Sequence, residues 1–295
     1  MHEADWSIII AFYLFVAGMG VAAFYTGVLA NLFSNDKYPR LAKYGSYIGV
    51  PLILLGVLML VFDLGRPEAF WRFLFHLNPS STMSVGVWLL TAFSIISVLN
   101  ALTWLAEDAG ESSVLAMFKD KPGLRRATGL TGLAFGILTA GYTGVLLSST
   151  STVFRSITPL MGMLFLVSAT STGIAVLMLA LAWRKEDHHI IQKLAKADAV
   201  VIVFEVIIFV LFLINLNTAT PEVAAAILSG SYSLLFWVGV IACGLIIPLV
   251  VELYSMSSGK GLSSSAAVPA IASVLILIGG FLLRYVLLFA GQSPL

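Results

Sequence analysis

Eight long apolar runs fill almost the whole chain, and short polar stretches separate them. The runs cover residues 8–33, 44–62, 84–106, 127–149, 158–182, 199–218, 231–254 and 267–291. A bilayer core about 30 Å thick requires roughly 20 apolar residues in each helix that crosses it. The pattern therefore predicts an all-α polytopic membrane protein with eight transmembrane helices, arranged as two four-helix bundles in a single integral membrane domain over residues 1–295.

Composition excludes an ordinary soluble domain. Apolar residues make up 59% of the chain and charged residues only 11%, whereas about 25% of the residues in a globular domain are charged. Residues 1–5 include Glu3 and Asp5 but no Lys or Arg, so they lack the positive region of a signal peptide. The first helix is therefore expected to remain in the mature protein. Cys243 lies inside an apolar run and has no second cysteine to pair with, which indicates a small core residue.

The connections between the runs differ in charge, and this difference predicts the orientation in the membrane. Connections one, three, five and seven hold twelve basic residues: Lys37, Arg40, Lys43, Lys119, Lys121, Arg125, Arg126, Arg184, Lys185, Lys193, Lys196 and Lys260. The other connections hold only Arg66, Arg72 and Arg155. We therefore expect a multi-pass protein of the cytoplasmic membrane with both termini on the exoplasmic side.

Short similarities between the two halves suggest an internal repeat. The segment 41–43 (LAK) matches 194–196, and 85–88 (VGVW) is echoed by 237–240 (WVGV). These matches predict parallel repeats over 7–150 and 158–291, related by an axis along the membrane normal. Chance similarity within a small apolar alphabet is the alternative.

Four ionisable residues lie at or inside the edges of the apolar runs: Asp63, Glu205, Glu252 and Arg284. A charge in hydrocarbon costs several kcal/mol and usually marks a path for protons, ions or a polar ligand group. Glu205, Glu252 and Arg284 are therefore predicted to form a proton route, with Glu205 roughly 10 Å from the start of the sixth run. The alternatives are a structural hydrogen bond for Glu205 and a surface carboxylate for Glu252. Asp63 and Arg284 lie at a similar predicted depth, so they are candidates for an ion pair.

The stretch between the second and third runs contains turn and interface signals. Gly65 permits a helix end with positive φ, Pro67 suits a helix start, and the aromatic residues of 70–75 suit an interfacial helix. Asn78 and Ser84 offer caps for the third transmembrane helix. The alternative is a structural turn stabilised by an Asp63–Arg66 pair.

The same stretch resembles the NrfD/PsrC family, which comprises the quinone-reactive membrane subunits of polysulfide reductase and related respiratory enzymes. The resemblance rests on Asp63-Leu64-Gly65-Arg66-Pro67, Asn78-Pro79, Ser81, Met83, Ser84 and Trp88, on 141–147 (GYTGVLL), and on Arg284-Tyr285 with Gly291-Gln292. It extends over essentially the whole chain. It implies a subunit of an oxidoreductase that exchanges electrons between membrane quinone and a partner iron–sulfur subunit.

The resemblance also implies partners and a site. A ferredoxin-like four-cluster iron–sulfur subunit and a catalytic, molybdopterin-containing subunit are expected on the exoplasmic face, where the charge count places the Asp63 segment. Menaquinone or ubiquinone is expected near that face, with Tyr142 and Asp63 as catalytic residues and Arg66 and Ser84 as further contacts. For Tyr142 the alternative is a buried phenol that merely finds a hydrogen-bond partner.

The first helix and the histidines bear on which groups the chain can hold. Some relatives carry Asn and His near the start of the first helix, whereas this chain has 15–20 (FVAGMG), so backbone near Gly18 and Gly20 is predicted to contribute instead. The histidines, His2, His76, His188 and His189, all fall outside the apolar runs. Since transmembrane haem usually requires axial histidines, we expect no haem in this chain. An iron–sulfur cluster needs about four thiolates, so the single Cys243 also predicts that the chain holds no such cluster.

The sequence thus favours a haem-free quinone-binding membrane anchor that transfers electrons and contributes to proton translocation. Its other substrate would be turned over on a partner subunit. Membrane lipid is the remaining expected contact, and no nucleic-acid partner is expected. Two rival interpretations are a secondary transporter, which suits parallel repeats with buried carboxylates, and a purely structural anchor.

Overall fold

The computed structural model describes residues 6–34, 37–63, 68, 71–75, 78–109, 114–150, 154, 157–184, 188–257 and 267–292. The secondary structure of these residues is helical, without a β-strand. The helices are α1 (Ile8–Phe33), α2 (Pro39–Asp63), α3 (Arg72–Phe75), α4 (Thr82–Ala109), α5 (Pro122–Thr150), α6 (Thr158–Trp183), α7 (His188–Ala219), α8 (Pro221–Leu228), α9 (Ile247–Ser257) and α10 (Ala267–Ala290). A 3₁₀ helix at Val114–Phe118 precedes α5, and a π-helical segment at Leu235–Ile246 leads directly into α9.

Eight of the described helical stretches are long and apolar enough to cross a membrane, which confirms the predicted number. The seventh crossing combines the π segment with α9, because its apolar window extends over Leu235–Tyr254. Several helices extend beyond the apolar runs that predicted them. The largest difference is in α7, which begins at His188 and not near residue 199.

The first crossing, α1, lies at the centre of the molecule. Most of its apolar window is buried, and the helix contacts α2, α5, α6 and α10. Glycines allow α1 and α2 to meet backbone to backbone: a methyl group on Gly20 would lie 3.0 Å from the carbonyl oxygen of Gly49. Since lipid gives little hydrophobic drive for association, small residues that permit such close packing hold transmembrane helices together.

The contacts connect the two predicted halves closely. Helices α1, α2, α4 and α5 contact one another along the chain, and α6 contacts α7 and α10. However, α6 also contacts α1 and α5, so helices from both halves share it. A side chain packed at this junction can therefore influence both halves of the molecule.

The bundle has two ends, which are named here by one residue each. The Asp63 end contains the start of α1 and the ends of α2 and α10, and the backbone N–H of Trp6 donates to Oε1 of Gln292 there at 2.7 Å. The Arg125 end contains the end of α4 and the start of α5. At this second end Nζ of Lys43 forms an ion pair with Asp108 at 2.5 Å.

Candidate functional site

Asp63 is the last residue of α2 and is half-buried. Its Oδ1 accepts a hydrogen bond from the hydroxyl of Ser7, and the same hydroxyl oxygen accepts a bond from the N–H of Ile9 at 3.2 Å. The carboxylate therefore ties the end of α2 to the start of α1. The predicted partner Arg66 lies outside the described residues.

The start of α4 is built by a small network of side chains. The N–H of Asn78 donates to Oγ of Ser84 at 3.0 Å, and the N–H of Ser80 donates to Oδ1 of Asn78 at 3.0 Å. Asn78 thus stabilises the turn before the helix, as Asx side chains commonly do. Ser84 is buried inside the first turn, and its hydroxyl oxygen faces the preceding loop.

Tyr142 crosses from α5 to this same turn. Its hydroxyl donates to the backbone carbonyl of Thr82 at 2.7 Å, and its ring lies where Gly86 has no side chain. A methyl group on Gly86 would overlap the ring carbons. Tyr142 is buried, with about 9% of its surface exposed. The structure therefore places Tyr142 and Ser84 at the same turn, close beneath the Asp63 end.

A second tyrosine lies beside Tyr142 and was not predicted from the sequence. Tyr13 of α1 is only 2% exposed, and its phenol lies near that of Tyr142. It occupies the first part of α1. The signal was a single tyrosine in an apolar run, which is indistinguishable from a core aromatic residue without the partner helix.

The structure separates the two predicted glycine contacts from Tyr142. Gly20 packs against α2 near Gly49, so it serves the helix crossing. Gly18 faces α6 and α10: a methyl group there would lie 3.5 Å from both Cβ of Ala169 and Nη2 of Arg284. Gly18 therefore adjoins the buried arginine.

Arg284 is fully buried in α10 and reaches across to α1 and α6. Its Nη1 donates to the carbonyl of Gly280 at 2.6 Å and to Oγ of Ser168 at 3.3 Å, while its Nε donates to the carbonyl of Leu14 at 3.3 Å. These bonds and the Ser7–Asp63 contact replace the suggested Asp63–Arg284 pair. Nη2 of Arg284 is buried without a hydrogen-bond partner among the described residues.

Three buried carboxyl groups lie beyond Arg284, away from the Asp63 end, and together with Arg284 they form a buried polar path. Glu205 lies beside Ser168 and interacts electrostatically with Arg284. Asp198 lies beside Ser171 and interacts with both Glu205 and Glu252. All three carboxyl residues are at least 95% buried, so the surface position considered for Glu252 is wrong.

The predicted distance of Glu205 from the start of its helix is wrong, because α7 begins earlier than its apolar run. Glu205 lies 17 residues after His188, or roughly 26 Å along the helix, near its middle. Asp198 was missed for the same reason, since it stood just outside the predicted helix. Its spacing of seven residues from Glu205 places both carboxyls on one helical face, a signal that was available in the sequence.

A small cavity lies between the two ends of this path. Its volume is about 10 Å³, close to the space that one water requires, and its walls include Ser168, Ser171 and Glu205. Val240 and Gly244 of the π segment form the opposite wall. In this segment the N–H of Ile247 donates to the carbonyl of Ala242, five residues earlier. Such π-helical turns often occur at functional sites.

The described residues contain no cluster of three or more His, Cys, Asp or Glu side chains arranged to hold a metal ion. His188 and His189 begin α7 at the Arg125 end, whereas His2 and His76 lie outside the described residues.

The eight apolar helices and the charged residues buried between them define an integral membrane protein. Residues 1–295 match the family described as polysulphide reductase, NrfD. The chain therefore belongs to the NrfD family.

Similar proteins include two that match over nearly their whole length. The protein NrfD of Escherichia coli is 29% identical, with 98% of this sequence and 94% of that protein covered. The C chain of the polysulfide reductase of Wolinella succinogenes is 31% identical, with the same coverage of 98% and 94%. An Hdr-like menaquinol oxidoreductase integral membrane subunit of Archaeoglobus fulgidus is 23% identical, over 60% of this sequence and 42% of that subunit.

Proposed function

We propose that this protein is the haem-free, quinone-reactive membrane subunit of a multisubunit respiratory oxidoreductase. Its membership of the NrfD family supports this function, as do the names of relatives that belong to a polysulfide reductase and a menaquinol oxidoreductase. The observation that carries the proposal is the buried cluster of Tyr142, Tyr13 and Ser84 beneath the Asp63 end.

The quinone headgroup, from menaquinone or ubiquinone, would bind at this cluster and supply two-electron, two-proton chemistry. Tyr142 already donates its proton to Thr82, so its hydroxyl oxygen is available to accept a hydrogen bond from a quinol hydroxyl. By turning from the Thr82 carbonyl, the same hydroxyl would donate to a quinone carbonyl. Asp63 would accept or supply the proton at the membrane surface, since it is half-buried and its hydrogen bond to Ser7 uses one of its two oxygens.

The partner subunits would bind at the Asp63 end. The ferredoxin-like iron–sulfur subunit would lie over α3, where Trp71 and Phe75 are 47% and 77% exposed and their rings pack edge to face at 6.3 Å. Exposed aromatic residues of this kind are enriched in protein interfaces. The catalytic molybdopterin subunit would be carried by the iron–sulfur subunit, which places all partners on the exoplasmic side that the charge count predicts.

Protons would travel along the buried polar path. The proposed route leads from Glu252 and Asp198, through the small cavity, to Glu205 and Arg284. Arg284 contacts the carbonyl of Leu14, the residue next to Tyr13. The path therefore approaches the quinone cluster from the opposite half of the membrane.

A secondary transporter is the second candidate function, because buried carboxylates are also typical of ion-coupled transport. Purification from the native membrane separates the two candidates. Co-purification of iron–sulfur and molybdenum subunits with extractable quinone supports the oxidoreductase, whereas a protein that travels alone and is stabilised by a solute supports transport. A structural anchor would bring partners but no quinone.

The quinone site is tested with Tyr142→Phe, which removes one hydroxyl and keeps the ring. A lost hydrogen bond to the substrate is worth about 1.5 kcal/mol, so quinone-linked turnover of the complex should fall about tenfold. Assembly with the partners should be unchanged. The matched control is Tyr25→Phe. Tyr25 is a buried tyrosine of α1, and its hydroxyl shares a hydrogen bond with Thr170 at 2.5 Å. Unchanged quinone kinetics in the Tyr142 variant would remove this residue from the site.

A further inference from the structure

At the Arg125 end, a cavity of about 350 Å³ opens between α1, α2, α4 and α5. Its inner wall is apolar and includes Val28, Leu32 and Ala42, while Arg125 and Arg126 line its other side. The cavity is of the size that binds a small ligand or a headgroup. None of the residues proposed for quinone or proton transfer lines it.

The polar wall of the cavity presents hydrogen-bond donors. Helix α5 begins there with Pro122, which has no N–H, and the N–H of Arg125 already donates to the carbonyl of Lys121 at 3.1 Å. The N–H groups of Gly123 and Leu124 are therefore the donors at this helix start that have no partner within the helix. Those groups and the helix dipole favour a bound anion. A methyl group on Gly123 would meet no atom within 4 Å, so the approach to this helix start is open.

A buried donor supplies the second, independent observation. Trp104 lines the cavity, is only 5% exposed, and its indole N–H has no hydrogen-bond partner among the described residues. A buried donor left without an acceptor destabilises a protein, because it has lost its hydrogen bond to water. An acceptor bound in the cavity would remove this penalty.

The surrounding contacts hold this wall in place. The guanidinium of Arg125 lies 3.9 Å from the centre of the Trp104 ring, and its Nη2 donates to the carbonyl of Thr103 at 3.1 Å. An ion pair with Glu107 offsets the charge of Arg125. Asn100 donates to the backbone carbonyl of Arg125 at 3.1 Å, which fixes the start of α5 against α4. Arg126 is exposed at the mouth, where its charge adds to the helix dipole.

We propose that this cavity binds the phosphate of an anionic membrane phospholipid, with Trp104, Arg126 and the start of α5 as donors. The apolar wall formed by Val28 and Leu32 would contact the first part of an acyl tail, which favours a lipid over a soluble phosphate ester. Basic pockets between transmembrane helices are known to bind acidic headgroups. The site is separate from the proposed quinone cluster and lies at the opposite end of the bundle.

The test measures phospholipid binding to the purified full-length protein in detergent by native mass spectrometry. Phosphatidylglycerol should bind more tightly than phosphatidylcholine of the same acyl length. The double variant Trp104→Phe with Arg126→Gln should weaken phosphatidylglycerol binding by about tenfold or more, since each donor contributes a charge-assisted bond. Arg126→Gln alone, at an exposed position, should weaken it in the same direction if the double variant folds poorly.

The matched control is Trp183→Phe with Lys196→Gln. Both residues are exposed at the Arg125 end and lie outside the cavity lining, so phosphatidylglycerol binding should be unchanged. Equal binding of the two lipids, or unaltered affinity in the Arg126 variants, would overturn the proposal. Displacement of the lipid by glycerol 3-phosphate at equal concentration would assign the site to a soluble phosphate ester. Displacement by a short-tailed menaquinone analogue would assign it to quinone.

Discussion

The position of Tyr142 depends on a residue that has no side chain. Its ring fills the space above Gly86, and its hydroxyl reaches Thr82 one turn away on the same helix. Gly86 and Tyr142 are 56 residues apart, so the dependence becomes visible only when α4 and α5 are packed together. Tyr142, the proposed contact of the quinone, is thus positioned by the packing of α4 against α5.

Gly86→Ala is expected to displace Tyr142. The added methyl group would overlap the ring, and overpacking of a buried site destabilises a protein by about 1–3 kcal/mol. Thermal unfolding of the purified variant should show this loss of stability. Quinone-linked turnover of the variant should also fall, as it should in Tyr142→Phe.

Gly141→Ala provides the control within the same motif. The nearest atom to its added methyl group is the carbonyl oxygen of Gly162 at 3.8 Å, an ordinary contact. Alanine is also the better helix former, by about 1 kcal/mol. Stability should therefore be equal or higher. A Gly86 variant that unfolds like the Gly141 variant would show that the ring of Tyr142 moves aside without strain.

Arg284 is a buried charged residue whose hydrogen-bond partners could not be predicted from the sequence. The sequence placed it within the last apolar run, but its partners are two backbone carbonyls and a serine on three different helices. A backbone carbonyl is present at every position and leaves no trace in the sequence. The similar predicted depth of Asp63 and Arg284 allows them to pair, but in the structure Asp63 accepts a bond from Ser7, and Arg284 donates to the partners named above.

At the scale of helices, the apolar runs predicted the number of crossings because each run is long enough to span hydrocarbon. They did not predict where the helices end, because backbone hydrogen bonds can extend a helix beyond the hydrocarbon into water. Helix α7 illustrates this: its first turns contain His188, Lys193 and Lys196, which are typical of a solvated helix start and not of an apolar run. Asp198 is buried against α9 and α6, but it is absent from the predicted site because it lies just before the apolar run.

The π segment was equally invisible in the sequence. Its residues Leu235–Ile246 are apolar throughout, and nothing in such a run distinguishes a bond five residues back from one four residues back. Close contact with α10 accompanies it: a methyl group on Gly244 would lie 2.8 Å from Cα of Gly279. The widened turns thus lie against a glycine pair beside the proposed proton path.

Polar contacts between helices should contribute measurably to the stability of the first half. Asn100 is 2% exposed; its Oδ1 accepts from Ser46 at 3.0 Å, and its Nδ2 donates to Thr128 at 2.9 Å. It therefore joins α2, α4 and α5. Asn100→Ala should reduce the free energy of unfolding by about 1–2 kcal/mol, as interhelical hydrogen bonds in membranes do.

Asn215→Ala is the matched control for this prediction. Asn215 is exposed on α7 and donates to the carbonyl of Leu211 in its own helix, so its loss should leave thermal unfolding almost unchanged. Equal melting temperatures for the two variants would mean that the Asn100 network adds nothing to helix association.

For the whole molecule, the distribution of basic residues predicts the orientation in the membrane. Twelve lie in the connections at one end and three in those at the other. Reporter fusions after Lys121 and Lys185 should therefore report the cytoplasm, and a fusion at Leu295 should report the exoplasm. The opposite pattern would place the Asp63 end, and with it the proposed partner subunits, on the cytoplasmic side.

The proposed proton path involves more of the molecule than any other prediction, because it would join α9, α7, α6, α10 and α1. Glu205→Gln keeps the size and most of the hydrogen bonding of the side chain but cannot exchange a proton at this position. Asp198→Asn makes the same change at the residue that the apolar runs missed. In liposomes that contain the intact complex, each variant should lower the membrane potential generated per electron while quinone remains bound and the partners remain attached.

Glu222→Gln serves as the control for these two variants, since Glu222 is an exposed carboxylate at the start of α8, away from the path. It should generate the same potential per electron as the unmodified protein. The two buried variants also distinguish a route from a local effect: a path in series predicts a loss from either change, and little further loss when both are combined. If Glu205→Gln and Asp198→Asn both leave the potential per electron unchanged, the buried carboxyls are structural, and the quinone exchanges its protons at the Asp63 end.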